Sequence, residues 1–329
     1  MAGRDSLYHP VSIGNLRIDG NLFLAPVAGY SDRAFRFLCR EGGADFSYTE
    51  MVSAEALARG SEKTALLLKR AHNEAAYGVQ LFGGNPEVMA LGARLVCERY
   101  SPSLIDINAG CPVQKIVKTG AGSALTREPR RLFEVTRAVV RAVSPLPVTV
   151  KIRSGWDASS LTWKEALAAA VEAGAAAVTV HPRTRAQGYE GPSDWGILAG
   201  AVELAAGRIP LFGSGDVFSP EDARRMLSET GVDAVFFARG ALGNPFVFEE
   251  TRSLLAHGSW EPVPAERRIQ AGLRELDFLI EDKGEYTACR EMRKRFCAYT
   301  RGMKDAAGLR RAVVAAETPE DYRRIFSAL

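Results

Sequence analysis

Eight short apolar runs, with helix-like stretches between them, constrain this 329-residue chain more than any other feature. They lie at 22–25, 44–48, 77–82, 104–107, 147–152, 176–180, 209–212 and 233–238. Most are unbroken rather than alternating, as strands buried on both faces of a parallel sheet are. The segments between them carry helix signals. Thr162 and Glu165 predict a capping box ahead of a helix over 166–173, which Gly174 closes. Ser219-Pro220 predicts an N-cap with proline at the first helical position, and Gly231 the stop. A long helix is predicted over 127–143, ending before Pro145. Eight βα units in about 240 residues predict an α/β fold, a closed (β/α)₈ TIM barrel. An open doubly wound sheet is the structural alternative.

The ends of the runs add to this. Pro26, Glu50, Gln80, Asn108, Lys151, His181, Gly213-Ser214 and Arg239 each stand at or just past a predicted strand. A lone polar residue there is ordinarily a cap, but eight in phase converge on one mouth, where barrel active sites sit. Gly213-Ser214-Gly215-Asp216 and Ala238-Arg239-Gly240 follow strands seven and eight, where barrels commonly hold phosphate. Lys151 ends strand five between Val150 and Ile152, so a plain surface lysine is disfavoured. It suits either a Schiff base or a fixed cation beside an electron-rich cofactor. Cys111 sits in a Gly/Pro loop just past Asn108, unlike the scattered Cys39, Cys97, Cys289 and Cys297. A thiol near its usual pKa of about 8.5 stays protonated at neutral pH and can serve as an acid. His181 suits a proton or hydrogen-bond donor.

Beyond Pro262-Val263-Pro264 only helix patterns remain, over 265–282, 286–303, 309–315 and 319–328. The expected division is a catalytic barrel over 1–258 and a helical domain over 259–329. Between 290 and 311, eight basic residues (Arg290, Arg293, Lys294, Arg295, Arg301, Lys304, Arg310, Arg311) face two acidic ones, Glu291 and Asp305, a local charge of +6 with Tyr299 among them. The whole chain carries only +3, which does not by itself argue for a nucleic-acid partner. The odd, scattered cysteines make neither a disulfide framework nor a zinc pattern, and no metal is expected. No apolar run approaches 18 residues and no apolar signal core precedes Asp19, so a cytoplasmic protein with no membrane contact is expected, as a monomer.

Several segments together are more specific. They are Leu24-Ala-Pro-Val-Ala-Gly29 with Ser31-Asp-Arg-Ala-Phe35, Val79-Gln-Leu-Phe-Gly83, Asp106-Ile-Asn-Ala-Gly-Cys-Pro112, Gly120-Ala-Gly-Ser123, Val150-Lys-Ile-Arg153, Val180-His-Pro-Arg-Thr184, Gly213-Ser-Gly-Asp216, and Ala238-Arg-Gly240 with Gly243-Asn-Pro245. Through them the chain, from about Leu22 to Met303, resembles the flavin-dependent tRNA-dihydrouridine synthases, most like the bacterial B-type subgroup. The resemblance implies FMN at the mouth, backed by Pro26, Val27 and Ala28. It implies Gln80, Lys151 and His181 at the flavin's polar edge, and Ser214, Gly215, Asp216, Ala238 and Arg239 at its phosphate end. The implied reaction saturates the uracil C5–C6 bond in tRNA. NADPH or NADH reduces FMN, hydride passes to C6, and Cys111 protonates C5. Asn108 and Arg183 match base-facing positions. Arg290-Glu291-Met292-Arg293-Lys294 matches the family's RNA-binding helix, so Arg293 and Lys294 are expected to meet tRNA phosphates. The sequence departs from the family's pattern at Val27, usually Met, and Ser214, commonly Asn. Arg295 and Ala298 stand where the subgroup often has His and Trp. No strand-turn-helix G-x-G-x-x-G occurs, so the nicotinamide donor is expected to bind transiently over the flavin. Three rivals share parts of the pattern. A reductase of free pyrimidines or small enones leaves the basic tail unexplained. A Schiff-base barrel leaves Gln80 and the Asn-x-Gly-Cys loop idle, and a non-catalytic RNA binder leaves the mouth idle.

Overall fold

In the barrel strands, side chains alternate between two different apolar environments, and that alternation explains the unbroken runs. The computed structural model describes residues 6–327, with backbone alone at residues 62 and 63. Strands β1 (Val11–Ile13) and β2 (Leu16–Ile18) form an antiparallel hairpin. The remaining strands are β3 (Leu22–Leu24), β4 (Phe46–Ser47), β5 (Val52–Ser53), β6 (Gly78–Phe82), β7 (Leu104–Ala109), β8 (Val148–Arg153), β9 (Ala177–His181), β10 (Leu211–Ser214) and β11 (Ala234–Phe237). They pair in parallel in the order β4-β3-β11-β10-β9-β8-β7-β6-β5. The two ends of that series are halves of one interrupted strand. Tyr48 bridges Gly78, and Thr49 N–H donates to the Gly78 carbonyl at 2.9 Å. The ring therefore closes as an eight-staved barrel, with helices outside.

Ile105 and Ile107, Val148, Val150 and Ile152, and Val178 and Val180 point outward into one core with the surrounding helices. Their neighbours point inward. Low in the barrel these are rings: Phe23 packs on Phe46, Phe212 and Phe236 with centroids 5.8, 5.4 and 5.6 Å apart. Val11, Ile13 and Ile18 of the hairpin join this inner core. The hairpin was not foreseen, although Gly14-Asn15 between two alternating triplets is a turn signal. Higher up, the inward positions turn polar: Gln80, Asp106, Asn108, Thr149, Lys151, Arg153, Thr179 and His181.

Most helix signals behave as read. Ser219 forms a full capping box with Asp222, and Gly231 ends that helix at φ 71°. The long helix starts at Pro129 and runs to Val143, with Ser123–Arg127 a separate short helix before it. Thr162 is a correction. It precedes the helix Trp163–Glu172, but its hydroxyl donates to the Thr126 carbonyl at 2.8 Å, so no capping box forms.

After residue 264 come the helices Ala265–Lys283, Glu285–Tyr299, Ala306–Ala315 and Pro319–Phe326. Ala328, the expected end of the last, lies outside the described residues, as do residues 1–5 of the polar N-terminal segment. Phe296 stacks on Tyr322 and Phe326, and the same apolar cluster takes in Ala34, Leu38 and Phe246 from the barrel side. At Gly243 a side chain is impossible: a Cβ would lie 2.3 Å from the Ala298 backbone. No helix is long and apolar enough to cross a membrane among the described residues.

Candidate active site

A cavity of about 280 Å³ opens at the carboxyl ends of the strands, near the lower end of ligand pockets. Thirteen of the sequence-predicted residues line it: Pro26, Val27, Ala28, Gln80, Asn108, Cys111, Lys151, His181, Ser214, Gly215, Asp216, Ala238 and Arg239. Register puts them there. Asn108 is paired with Lys151 across β7 and β8, and Arg153 with His181 across β8 and β9.

Cys111 is held on its loop by backbone. Asn108 Oδ1 accepts from the N–H groups of Cys111 at 2.9 Å and Gly110 at 3.2 Å, and Ser123 N–H donates to the Cys111 carbonyl at 3.0 Å. Burial pushes the half-buried thiol above its ordinary pKa, against weaker opposing pulls from the Val113 N–H and Arg153. The thiol is therefore protonated at neutral pH, as an acid must be.

Across the cavity two groups have unspent bonding capacity. His181 Nε2 is buried with no hydrogen-bond partner, and Lys151 Nζ makes none among the described residues. Burial and the nearby charges of Lys151, Arg153, Arg183 and Arg239 hold His181 well below its usual pKa, so the ring is neutral at pH 7. Burial and Arg153 lower Lys151 to about 8, against the pull of Asp106. A buried imidazole nitrogen without a partner, beside a lysine ammonium on the cavity wall, marks a place for a polar ligand. Gly215, at φ 110°, keeps the wall open there: a Cβ would lie 3.2 Å from the His181 ring and 2.3 Å from Ser193 Oγ.

At the strand seven and eight end, Asp216 accepts from Arg183 at 2.6 Å, from Ser193 N–H at 2.8 Å and from Arg239 at 3.1 Å. A carboxylate cannot itself hold a phosphate, so its part here is to aim guanidinium groups. Arg239 is 36% exposed and lies over the rings of Tyr189 and Phe218. It is free to swing toward an anion at modest cost.

Three expected residues lie elsewhere. Arg183 is 3% exposed and braces Asp216 and the Glu190 and Gly191 carbonyls, so it does not line the cavity. Arg293 is half-buried and donates to the Ala316 carbonyl at 3.0 Å. Lys294 is exposed, donates to the Gly29 carbonyl at 2.9 Å and lies over the Tyr30 ring. The +6 stretch is also corrected. Arg295 is 2% exposed and paired with Asp32 and Glu275, and Tyr299 is buried with its hydroxyl on Glu275. Neither faces solvent.

Sequence reasoning missed Asp106, Thr149 and Arg153 as site residues. Arg153 donates to the carbonyls of Gly110, Thr184 and Gly188 and ties the Cys111 loop to the loop after β9. Polar residues two apart inside apolar runs, such as Asp106/Asn108 and Thr149/Lys151/Arg153, are the signal that marks them.

Known proteins resemble this chain over most of its length. The family model described as dihydrouridine synthase (Dus) matches residues 23–327. A probable tRNA-dihydrouridine synthase from Treponema pallidum is 53% identical, over 97% of this chain and 96% of that protein. tRNA-dihydrouridine synthase B from Vibrio cholerae is 36% identical, over 94% of this chain and 95% of that one. Among solved structures, an old yellow enzyme homologue from Zymomonas mobilis has a TM-score of 0.56 at 13% identity, covering 80% of this chain and 96% of its own. At that identity the likeness speaks to the barrel fold.

Proposed function

Because the chain belongs to the dihydrouridine synthase family, we propose that it reduces the C5–C6 double bond of a uridine in tRNA, with FMN held at the barrel mouth and NADPH or NADH as reductant. One observation carries the reading. A thiol kept protonated by burial lines the same cavity as an unpartnered imidazole nitrogen and the Lys151 ammonium. FMN, when bound, supplies the hydride that adds to C6.

Everything else falls to the chain. Pro26, Val27 and Ala28 offer an apolar wall for a flat ring. Lys151 offers fixed positive charge and His181 a neutral ring nitrogen to the polar edge, with Gln80 beside them. Ser214, Gly215 and Ala238 present backbone at the phosphate end, and Arg239 turns from its aromatic neighbours to the phosphate. Cys111 Sγ–H gives its proton to C5 as the double bond becomes single, and the thiolate left behind regains a proton from solvent. Asn108 meets the base, while Arg183 acts through Asp216. The target uridine must leave its stack, at a cost of a few kcal/mol. Residues 259–329 form the domain that repays it, with Arg290 and Lys294 as exposed phosphate contacts on the helix Glu285–Tyr299.

The test is Cys111→Ala. It is expected to keep flavin colour and nicotinamide-driven flavin reduction, and to lose dihydrouridine formation on tRNA by about 10²–10⁴-fold, the worth of a placed general acid. Dihydrouridine formed at the wild-type rate refutes the acid role. A colourless protein that takes up no FMN refutes the flavin reading.

A further inference from the structure

Beneath the cavity floor, four buried side chains form a series whose polarity runs one way. Thr149 Oγ1 and Gln80 Nε2 donate to the two oxygens of Asp106, each at 2.6 Å. Gln80 Oε1 accepts from Asn108 Nδ2 at 2.8 Å. Asn108 Oδ1 accepts from the backbone N–H groups of Gly110 and Cys111. An amide can bind either way round, because one end donates and the other accepts. A carboxylate accepts only. Backbone N–H groups donate only, so the series is fixed at both ends, and Asp106 is the end that a side chain supplies.

We infer that Asp106 is the positioning residue of the Cys111 loop: by accepting from Gln80 it sets the direction of two amides in series, and so aims Asn108 Oδ1 at the N–H groups that hold Cys111. A flipped Gln80 would set its carbonyl oxygen against the carboxylate at 2.6 Å and its NH₂ against that of Asn108 at 2.8 Å. Buried this deeply, two such clashes cost more than any packing gain returns. Asp106 reaches neither thiol nor cavity wall, and it acts only through Gln80 and Asn108. The consequence for turnover rests on Cys111 being the proton donor. The direction of the series does not.

A polarity swap tests this. Asp106→Asn replaces the accept-only end with an amide that can face Gln80 either way round. Asn108→Asp cannot donate to Gln80 and sets a carboxylate oxygen against Gln80 Oε1, which pushes the side chain at 108 off the N–H groups of Gly110 and Cys111. The double variant reverses the series: the new amide at 106 donates to Gln80 Oε1 and still accepts from Thr149, while Gln80 Nε2 donates to the new carboxylate at 108. That carboxylate stays beside Lys151, the register partner of position 108. The readout is iodoacetamide labelling of Cys111 in the full-length protein, measured by peptide mass against half-buried Cys97 and Cys297 in the same sample. It needs neither tRNA nor turnover, so a failure here is distinct from a failure of the acid role. A loosened loop exposes the thiol. Each single variant is expected to label Cys111 roughly tenfold faster, the scale of one lost hydrogen bond, and the double variant within about twofold of wild type. A merely structural carboxylate predicts no rescue. Single variants at the wild-type rate, or a double variant as fast as either single, overturn the inference. If Asp106→Asn does not fold, Asn108→Asp and its rescue by the second change decide it alone.

Discussion

The barrel mouth and the barrel–tail junction both bury charge, but they treat it in opposite ways. At the junction Arg295 is shared between Asp32, at 2.6 Å, and Glu275, while Tyr299 donates to Glu275 at 2.8 Å. Lys283 adds bonds to Asp32 at 3.1 Å and Glu291 at 2.7 Å. The pairing holds Asp32 below the usual carboxylate range despite full burial. At the mouth, Lys151 and His181 are shifted toward neutrality, and His181 Nε2 is buried without a hydrogen-bond partner. Paired charge fixes one geometry. Unpaired charge is a standing cost that a ligand can relieve, so the mouth reads as the working site and the junction as the joint that sets its shape.

If so, breaking the junction costs stability most. Arg295→Ala leaves buried Glu275 with only the Tyr299 hydroxyl, and Asp32 with Lys283 as its remaining cation. It is expected to cost about 3–5 kcal/mol, the usual penalty for orphaning a buried pair. Urea denaturation followed by tryptophan fluorescence measures it. A loss under about 1 kcal/mol would mean water already reaches the pair, and the contrast with the mouth would fall.

Lys151→Met is expected to do the reverse. Its folded pKa, about 8, lies below the ordinary lysine value of about 10.4. A depressed lysine contributes stability that is present above the unfolded pKa and lost as pH falls through the folded one. Wild type therefore loses stability, relative to Lys151→Met, on going from pH 10 to pH 8, by on the order of 2 kcal/mol. The same variant should retain flavin at least about tenfold less well, since it removes a charged contact. Denaturation at both pH values and flavin content after dialysis check the pair. A variant less stable at pH 8 than wild type would show that Lys151 is part of the joint, paired through Asp106.

The two regions were unequally legible. The mouth could be read because strand ends in a closed barrel fall in phase, so Asn108, Lys151 and His181 were found from position alone. Asp106 was hidden by its neighbours, since one aspartate in Leu104–Ala109 reads as a flaw in a strand until its inward register with Thr149 is known. The division of the second stave into β4 and β5 was equally invisible, because it depends on where Gly78 arrives. The junction was misread. Counting charge along the helix Glu285–Tyr299 treats every side chain as solvated, and nothing local tells Arg295 from Lys294. The difference is set by Asp32 and Glu275, which lie 263 and 20 residues away.

Lys294 stands on the border between the two regions, and its replacement has the smallest expected effect. It is exposed, yet its ammonium bonds the Gly29 carbonyl in the loop that follows Pro26, Val27 and Ala28. As a phosphate contact, Lys294→Ala should lower the salt slope of tRNA binding by about one and leave stability within about 0.5 kcal/mol. Binding titrations at several salt concentrations read the slope. As a strut of the joint it should leave the slope alone and loosen the mouth, visible as lower flavin retention. An exposed lysine held by one carbonyl and one ring loses little on leaving them, and a phosphate offers full opposite charge in exchange. The slope is therefore the quantity expected to move. If it stays fixed while flavin retention falls, the joint extends one residue further than its buried ion pairs, and the tRNA is met by Arg290 and the exposed basic residues beyond Arg301.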